Sequence, residues 1–345
     1  STPVSIYSAI GNASSKGILV KGGKYLEDIG KIKAIALDKT RTITHGKPVV
    51  SDIFPYNGVS KEELIACAAG FEVFSEHPIA HSIIEKAKEE NIDYHEVKNF
   101  QAVMGKGVKG DCIVCKERSH VLGSLRFVTE EHDVQQDIIT EVERLQKQGK
   151  TALILSSDKN VEGVIAVSDE IKNDSKDAIN KIKELNVTPV MMTGDNDNAA
   201  KFVGSLVGIT DIRSQLLPDG KSAEIDNLIL QYGEVAMVGD GVNDAPALAK
   251  AHIGIAMGSA GSDIAIETAD IALMNDNLCL IPFLIRLSRK TLATIKINTI
   301  FAITTKLIFI ILAFAGLSNL VMAIFADVGV TILVIINSLR LLNYK

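Results

Sequence analysis

Between residues 17 and 283, short apolar runs alternate with amphipathic stretches. Residues 32–37 (IKAIAL), 151–155, 164–167, 187–192, 235–238 and 253–256 each read as buried strands. Residues 175–185, 199–207, 221–230 and 245–250 carry helical periodicity. Strand–helix alternation of this kind predicts a doubly wound parallel α/β sheet. From about 50 to 160 the texture changes. Residues 72–91 are helix-like, 97–121 are rich in Gly and Val and strand-like, and 130–148 form a charged amphipathic helix with a solvated face. A second α/β domain inserted into the first is expected there.

The C-terminus follows a different pattern. Residues 298–342 hold only three charges, Lys306, Asp327 and Arg340. Residues 307–317 (LIFIILAFAGL) have no polar side chain, and a second apolar stretch from 320 to 336 is broken only by Asp327 and Thr331. Each stretch with its flanks reaches roughly 20 residues, enough to cross a bilayer as a helix. The competing reading is a buried hairpin of a soluble domain. Arg286, Arg289, Lys290 and Lys296 precede the first stretch, and Arg340 and Lys345 follow the second. Both ends are therefore expected on the cytoplasmic side. Residues 1–16 read as a helix ending near Gly17, the tail of something larger.

Composition sharpens this picture. At 345 residues the chain has room for a little over two domains. Lys and Arg number 36 against 42 Asp and Glu, a net charge of −6. That balance, with 47% hydrophobic residues, excludes a disordered chain and a basic nucleic-acid-binding domain. The mean hydropathy of +0.21 averages a charged body and a greasy tail. Four cysteines suit a reducing compartment. Cys112 and Cys115 form a lone C-x-x-C on a strand-like segment, where i and i+3 face opposite sides, so no metal site is expected unless a turn falls there. Cys67 and Cys279 read as packing residues.

The candidate chemistry lies at strand ends. The first strand ends in Asp38, followed by Lys39, Thr40, Arg41 and Thr42. Ligands of open α/β sheets bind beyond the carboxyl ends of strands, so a carboxylate there is placed to attack phosphorus. The strand at 187–192 runs into Thr193, Gly194 and Asp195, a hydroxyl and backbone N–H groups able to hold phosphate oxygens. The strand at 235–238 leads to Gly239, Asp240, Gly241, Val242, Asn243 and Asp244, whose carboxylates suit Mg2+. Lys221, in Leu217-Pro218-Asp219-Gly220-Lys221, offers a point charge for a phosphoryl group. Each motif alone is weak, but the ordered set is strong.

These motifs (ALDKT, TGD, LPDGK and GDGVNDAPAL) resemble the phosphorylation and hinge motifs of P-type ATPases, members of the haloacid-dehalogenase superfamily. Ser75-Glu76-His77-Pro78 and Gly105-Lys106-Gly107 resemble signatures of the heavy-metal-transporting branch. Lys306 and Asp327-Val328-Gly329 resemble the polar residues in the last two helices of its zinc, cadmium and lead exporters. The resemblance covers the C-terminal part of such a pump. The helix carrying the CPC metal motif, the actuator domain and the first six membrane helices are not in this sequence.

The resemblance implies a haloacid-dehalogenase-like phosphorylation domain (17–48 and 161–284), an inserted α+β nucleotide-binding domain (49–160) and a C-terminal transmembrane hairpin (285–345) after a stalk at 1–16. Asp38 would be phosphorylated by ATP. Asp38, Asp240 and the Thr40 carbonyl would hold Mg2+. Lys221, Thr193 and Gly194 would offset charge on the transferring group, with Lys39, Asp195, Asn243 and Asp244 in support. Glu76, His77, Gly105 and Gly107 would form the adenine pocket. Asp327 and Lys306 would form part of the site for the transported cation (Cd2+, Zn2+ or Pb2+), in a multi-pass protein of the cell membrane whose catalytic domains are cytoplasmic. The remaining partners are the lipid bilayer and the missing N-terminal half of the pump.

Two residues refine this. Simple phosphatases of the superfamily carry Asp two positions after the nucleophile, and Thr40 stands there instead. Its hydroxyl cannot act as general acid or base near neutral pH. Arg41 replaces the Gly of the family's D-K-T-G-T, setting a long cation beside the phosphate site. Two alternatives therefore stand beside a metal-exporting ATPase: a non-catalytic nucleotide-binding remnant, and a membrane-anchored phosphohydrolase, against which Thr40 argues.

Overall fold

The computed structural model describes residues 2–345 apart from 76, 104–105, 116–117, 159, 242–243, 259–266 and 317–319. Three expected site residues, Glu76, Gly105 and Asn243, lie outside the described residues. The chain divides into two compact units. One holds the residues up to Ile43, Asn173–Gly194 and everything from Val207 onward, and the other holds Thr44–Lys172 and Asp195–Leu206.

The first unit is built on a sheet whose order, among the described residues, is Ile18–Val20, Ile271–Leu273, Ile253–Met257, Val235–Gly239, Ala34–Asp38, Thr188–Met192 and Asp211–Arg213. All neighbours run parallel except Ile18–Val20, which is antiparallel to Ile271–Leu273. The central strands are buried on both faces, which explains their continuous apolar runs. Ala34, Ala36, Val190, Met192, Val235 and Met237 pack with Ile225 and Leu228 of the Pro218–Tyr232 helix. The chain leaves Ala34–Asp38 toward Thr188–Met192 on one side and later returns to Val235–Gly239 on the other. That reversal opens a crevice at the carboxyl end of Ala34–Asp38.

The second unit carries an antiparallel sheet ordered Thr44–Pro55, Asn160–Ile171, Thr151–Ser157, Arg118–Gly123, Gly107–Cys112 and Val97–Val103. Two expectations are corrected here. The runs at 151–155 and 164–167 belong to this sheet and not to the parallel one. Both are short apolar runs, and periodicity alone does not say which sheet receives such a strand. The helices expected at 72–91 and 130–148 start later, as Pro78–Glu89 and Gln136–Lys147, and each follows a helix that was not expected, Lys61–Glu72 and Leu125–Glu131. Pro78 starts a new helix at its first turn, a position where its missing N–H costs nothing. Residues 113–115, after the Gly107–Cys112 strand, form a turn.

The chain ends in two helices, Leu280–Phe314 and Leu320–Leu339, both long and apolar enough to cross a membrane. At 35 residues the first is about 50 Å long, well beyond a bilayer core. Its first half is buried in the unit through Ile281, Leu284, Ile285 and Leu287, while its second half exposes Ile303, Leu307, Ile311 and Phe314. Buried polar residues of this helix and of the Thr2–Ser15 helix bond to the end of the second helix and the residues after it. Ser5 bonds Ser338 at 2.8 Å, Asn12 donates to the carbonyls of Leu341 and Tyr344 at 2.8 and 2.9 Å, and Asn298 donates to Ser338 at 3.0 Å.

Arg289, expected only as a topology signal, has a structural use. Its Nε donates to the Gly30 carbonyl at 3.0 Å and an Nη to the Leu185 carbonyl at 2.8 Å. These carbonyls end the Gly23–Ile29 and Ser175–Glu184 helices, where a cation also offsets the helix dipole. Arg289→Ala should therefore destabilise the first unit by about 2 kcal/mol, read as a lower unfolding midpoint in detergent. Arg289→Lys should recover only part of the loss.

Candidate phosphoryl-transfer site

Strand register assembles the candidate site. Leu37 pairs with Val238, and Asp38 pairs with Met192. Met192 and Gly239 therefore flank Asp38 on the two neighbouring strands, and Thr193 directly follows Met192. Asp38 closes its strand at 5% exposure. Lys221, on the first turns of the Pro218–Tyr232 helix, reaches in and donates to Asp38 Oδ1 at 2.5 Å and to Asp244 Oδ1 at 2.7 Å. Gly239 makes the second contact possible: a Cβ there would sit 2.5 Å from Asp244 Oδ2.

Charge in this crevice is unbalanced. Three buried carboxylates, Asp38, Asp240 and Asp244, face one buried ammonium. Burial first, and then the neighbouring Asp244 carboxylate, push the Asp38 carboxyl up to about 7, against the opposing pull of Lys221. Burial likewise raises Asp244. Burial opposes the charged form of Lys221, but Asp38 and Asp244 outweigh it and hold the lysine above its ordinary value. Among the described residues, Asp244 Oδ2 is buried without a hydrogen-bond partner. Surplus negative charge and a free hard-oxygen donor fit a Mg2+ ion.

Arg41 stands at the edge of this cluster. Its guanidinium lies 3.7 Å from Asp240 Oδ2, a pair in which Arg41 is half exposed and Asp240 buried. Its backbone is left-handed, with φ 60° and ψ −2°. Glycine takes this conformation freely, whereas an L side chain costs about 1–2 kcal/mol. Thr42, not anticipated as a site residue, is fully buried beside it, and its hydroxyl has no hydrogen-bond partner among the described residues. The only signal for it was the second threonine of the D-K-T-x-T run.

The other expected residues are placed as follows. Thr193 is buried, and its peptide is fixed on both sides: its N–H donates to the Arg213 carbonyl at 2.9 Å and its carbonyl accepts from Leu216 at 3.1 Å. Gly194 ends that segment of the first unit, while Asp195 groups with the second unit. Lys39 and Thr40 lie in the irregular turn after Asp38. His77 caps the Pro78–Glu89 helix, its Nδ1 accepting from the Ile79 N–H at 3.2 Å. Gly107 has φ +154°, and a Cβ there would collide with the Leu122 carbonyl of the next strand. Close strand packing alone thus requires glycine at 107. In the hairpin, Lys306 and Asp327 form an ion pair at 3.1 Å. They line a groove of about 410 Å³ with Thr305, Phe309 and Ala323.

The haloacid dehalogenase-like hydrolase family pattern matches residues 32–252, and the chain belongs to that family. It is 48% identical over 351 residues to a probable cadmium-transporting ATPase of Staphylococcus aureus (strain MRSA252), covering 100% of this chain and 48% of that protein. It is 38% identical to a copper-exporting P-type ATPase of Bacillus subtilis (strain 168), covering 100% of this chain and 42% of that protein. Its structure matches that of a zinc-transporting PIB-type ATPase in its E2·Pi state with TM-score 0.91 and 35% identity, covering 99% of this chain and 55% of the other. The chain thus spans about half the length of the relatives it matches. The expected likeness to heavy-metal P-type ATPases is borne out, as is the α/β haloacid-dehalogenase fold with two apolar C-terminal helices.

Removing Lys221 leaves two buried carboxylates without their shared cation. Lys221→Met should cost about 3–5 kcal/mol, measured by denaturant unfolding. Adding Asp244→Asn to Lys221→Met should return part of that loss, a coupling seen only if the two side chains share one network.

Proposed function

We propose that this chain supplies the phosphoryl-transfer half of an ATP-driven exporter of divalent heavy-metal cations. The observation that carries the reading is the buried Asp38–Lys221–Asp244 cluster at the carboxyl edge of the parallel sheet, with Asp240 beside it. In this reading an Asp38 carboxylate oxygen attacks the γ-phosphorus of ATP. The bond from that phosphorus to the bridging oxygen breaks, ADP leaves with the electron pair, and an aspartyl-phosphate forms. Lys221 and the Thr193–Gly194 segment offset charge on the transferring group, with Lys39, Asn243 and Asp244 holding the surroundings and Asp195 supporting from the adjoining stretch. Asp38, Asp240 and the Thr40 carbonyl would hold Mg2+, which supplies charge neutralisation to the phosphates. Thr40 offers no general base, so the phosphoenzyme waits for another domain to hydrolyse it. Glu76, His77, Gly105 and Gly107 serve the nucleotide.

In this reading the two apolar helices cross the membrane, and the paired Lys306 and Asp327 between them are a candidate cation site. A missing N-terminal half would complete the cation site and supply the actuator. The identity to the cadmium-transporting relative, 48% against 38% for the copper exporter, favours Cd2+, Zn2+ or Pb2+ as cargo. In this reading the protein is a multi-pass protein of the cell membrane with its catalytic domains cytoplasmic.

One observation favours a second reading, a nucleotide-binding form that phosphorylates poorly. The Arg41 guanidinium is paired with Asp240, a carboxylate that Mg2+ would need. Membranes bearing the longest native polypeptide should be incubated with γ-labelled ATP, Mg2+ and Cd2+ or Zn2+. Acid-stable label is expected on the chain, absent in Asp38→Asn and increased severalfold in Arg41→Gly. No label in either the native or the Arg41→Gly form would sink the exporter reading. Equal labelling of the two would remove the case for Arg41 as an obstruction.

A further inference from the structure

The second unit gathers a cluster that the phosphoryl-transfer reading leaves unused. Cys67, His95, Cys112 and Cys115 bring one ligand atom each within 4.8 Å of one another. His95 Nδ1 lies 3.4 Å from the Sγ of Cys112 and 3.4 Å from that of Cys115. In a tetrahedral site with Zn–S near 2.3 Å and Zn–N near 2.0 Å, the S···N edge is about 3.5 Å. Cys67 and Cys112 are buried, while Cys115 and His95 are partly exposed, which leaves an entry path. The cysteines are free thiols, so a disulfide does not explain their approach.

The backbone holds these ligands together from three directions. Cys67 sits on the Lys61–Glu72 helix. The His95 N–H donates to the carbonyl of Ala66 on that helix at 3.0 Å, and a Cβ at Gly70, one turn on, would strike the His95 carbonyl. The Ile113 N–H donates to the Glu96 carbonyl at 3.0 Å, which fixes the turn between Cys112 and Cys115 next to His95. Cys112 ends its strand and Cys115 closes the turn, so the pair converges where a continuous strand would have sent it to opposite faces. Cys67, His120 and Glu162 form a competing group. However, both ring nitrogens of His120 are engaged, Nδ1 with the Arg118 carbonyl at 2.8 Å and Nε2 with Glu162 at 3.2 Å. The fourth ligand is therefore His95.

We propose that Cys67, His95, Cys112 and Cys115 form a Cys3His site for one thiophilic divalent cation, Zn2+ or Cd2+, inside the second unit. The site uses none of the hairpin's residues and does not rest on the transport reading. The ion ties the Lys61–Glu72 helix to the strand end and to the loop before Val97, and releases thiol protons as it binds. Soft thiolates select such ions over Mg2+.

The test uses the full chain, purified in detergent under reducing conditions and titrated with Co2+, then with Zn2+ and Cd2+. One equivalent should bind with the visible bands of tetrahedral Co2+ and thiolate-to-metal charge transfer, and Zn2+ should displace it. Cys115→Ser and His95→Ala, at the two partly exposed ligands, should each weaken binding at least tenfold and lose the tetrahedral spectrum. Cys279→Ser, at the free cysteine outside the cluster, should leave both unchanged. Zn2+ should also protect the native thiols from alkylation and raise the unfolding midpoint, readings that stand even if a cysteine variant fails to fold. Octahedral Co2+ spectra, binding as tight in Cys115→Ser and His95→Ala as in the native chain, or thiols alkylated equally fast with and without Zn2+ would each overturn the proposal.

Discussion

A single ammonium group holds the first unit's crevice together. Lys221 reaches both Asp38 and Asp244, which are otherwise like charges packed at low exposure beside Asp240. Burying those carboxylates without a cation would cost several kcal/mol each. The arrangement is therefore possible only because the Pro218–Tyr232 helix aims its first turns at the carboxyl end of the sheet. The price is incomplete neutralisation, visible in the raised Asp38 carboxyl and the unpartnered Asp244 oxygen. A crevice left with excess negative charge suits a hard cation.

Arg41 acts on the same balance from the rim. It occupies a left-handed backbone position that suits glycine, and its guanidinium rests against Asp240. One substitution thus adds backbone strain and a competing positive charge at the same place. Thr42, buried with an unpartnered hydroxyl, lies within the same turn.

The second unit shows how packing and ligation overlap. Cys67 and Cys112 belong to an apolar core with Leu64, Phe71, Ile83 and Leu155. A thiol serves there as a small hydrophobe. What changes its meaning is convergence with Cys115 and a histidine held to the helix by backbone hydrogen bonds.

The parallel sheet and the site at its strand ends were legible in the residues themselves. Apolar runs at 32–37, 187–192, 235–238 and 253–256 lie within a residue or two of the observed strands, because strands buried on both faces must be continuously apolar. Asp38, Asp240, Asp244 and Lys221 were legible because local motifs mark strand ends and helix starts. The helical hairpin was legible because a segment with so few charges suits lipid better than water. Sheet membership of 151–157 and 160–171 was not legible, since short apolar runs look alike in parallel and antiparallel settings. Nor was the use of Arg289 as a cap for two helices, or the meeting of Cys67 and His95 with a C-x-x-C far along the chain. Local pattern determines which segments are strands, which are helices and where chemistry sits along them. Only the tertiary structure decides which distant segments share a register, a capped carbonyl or a ligand cluster, because those contacts depend on pairings that no short window of sequence contains.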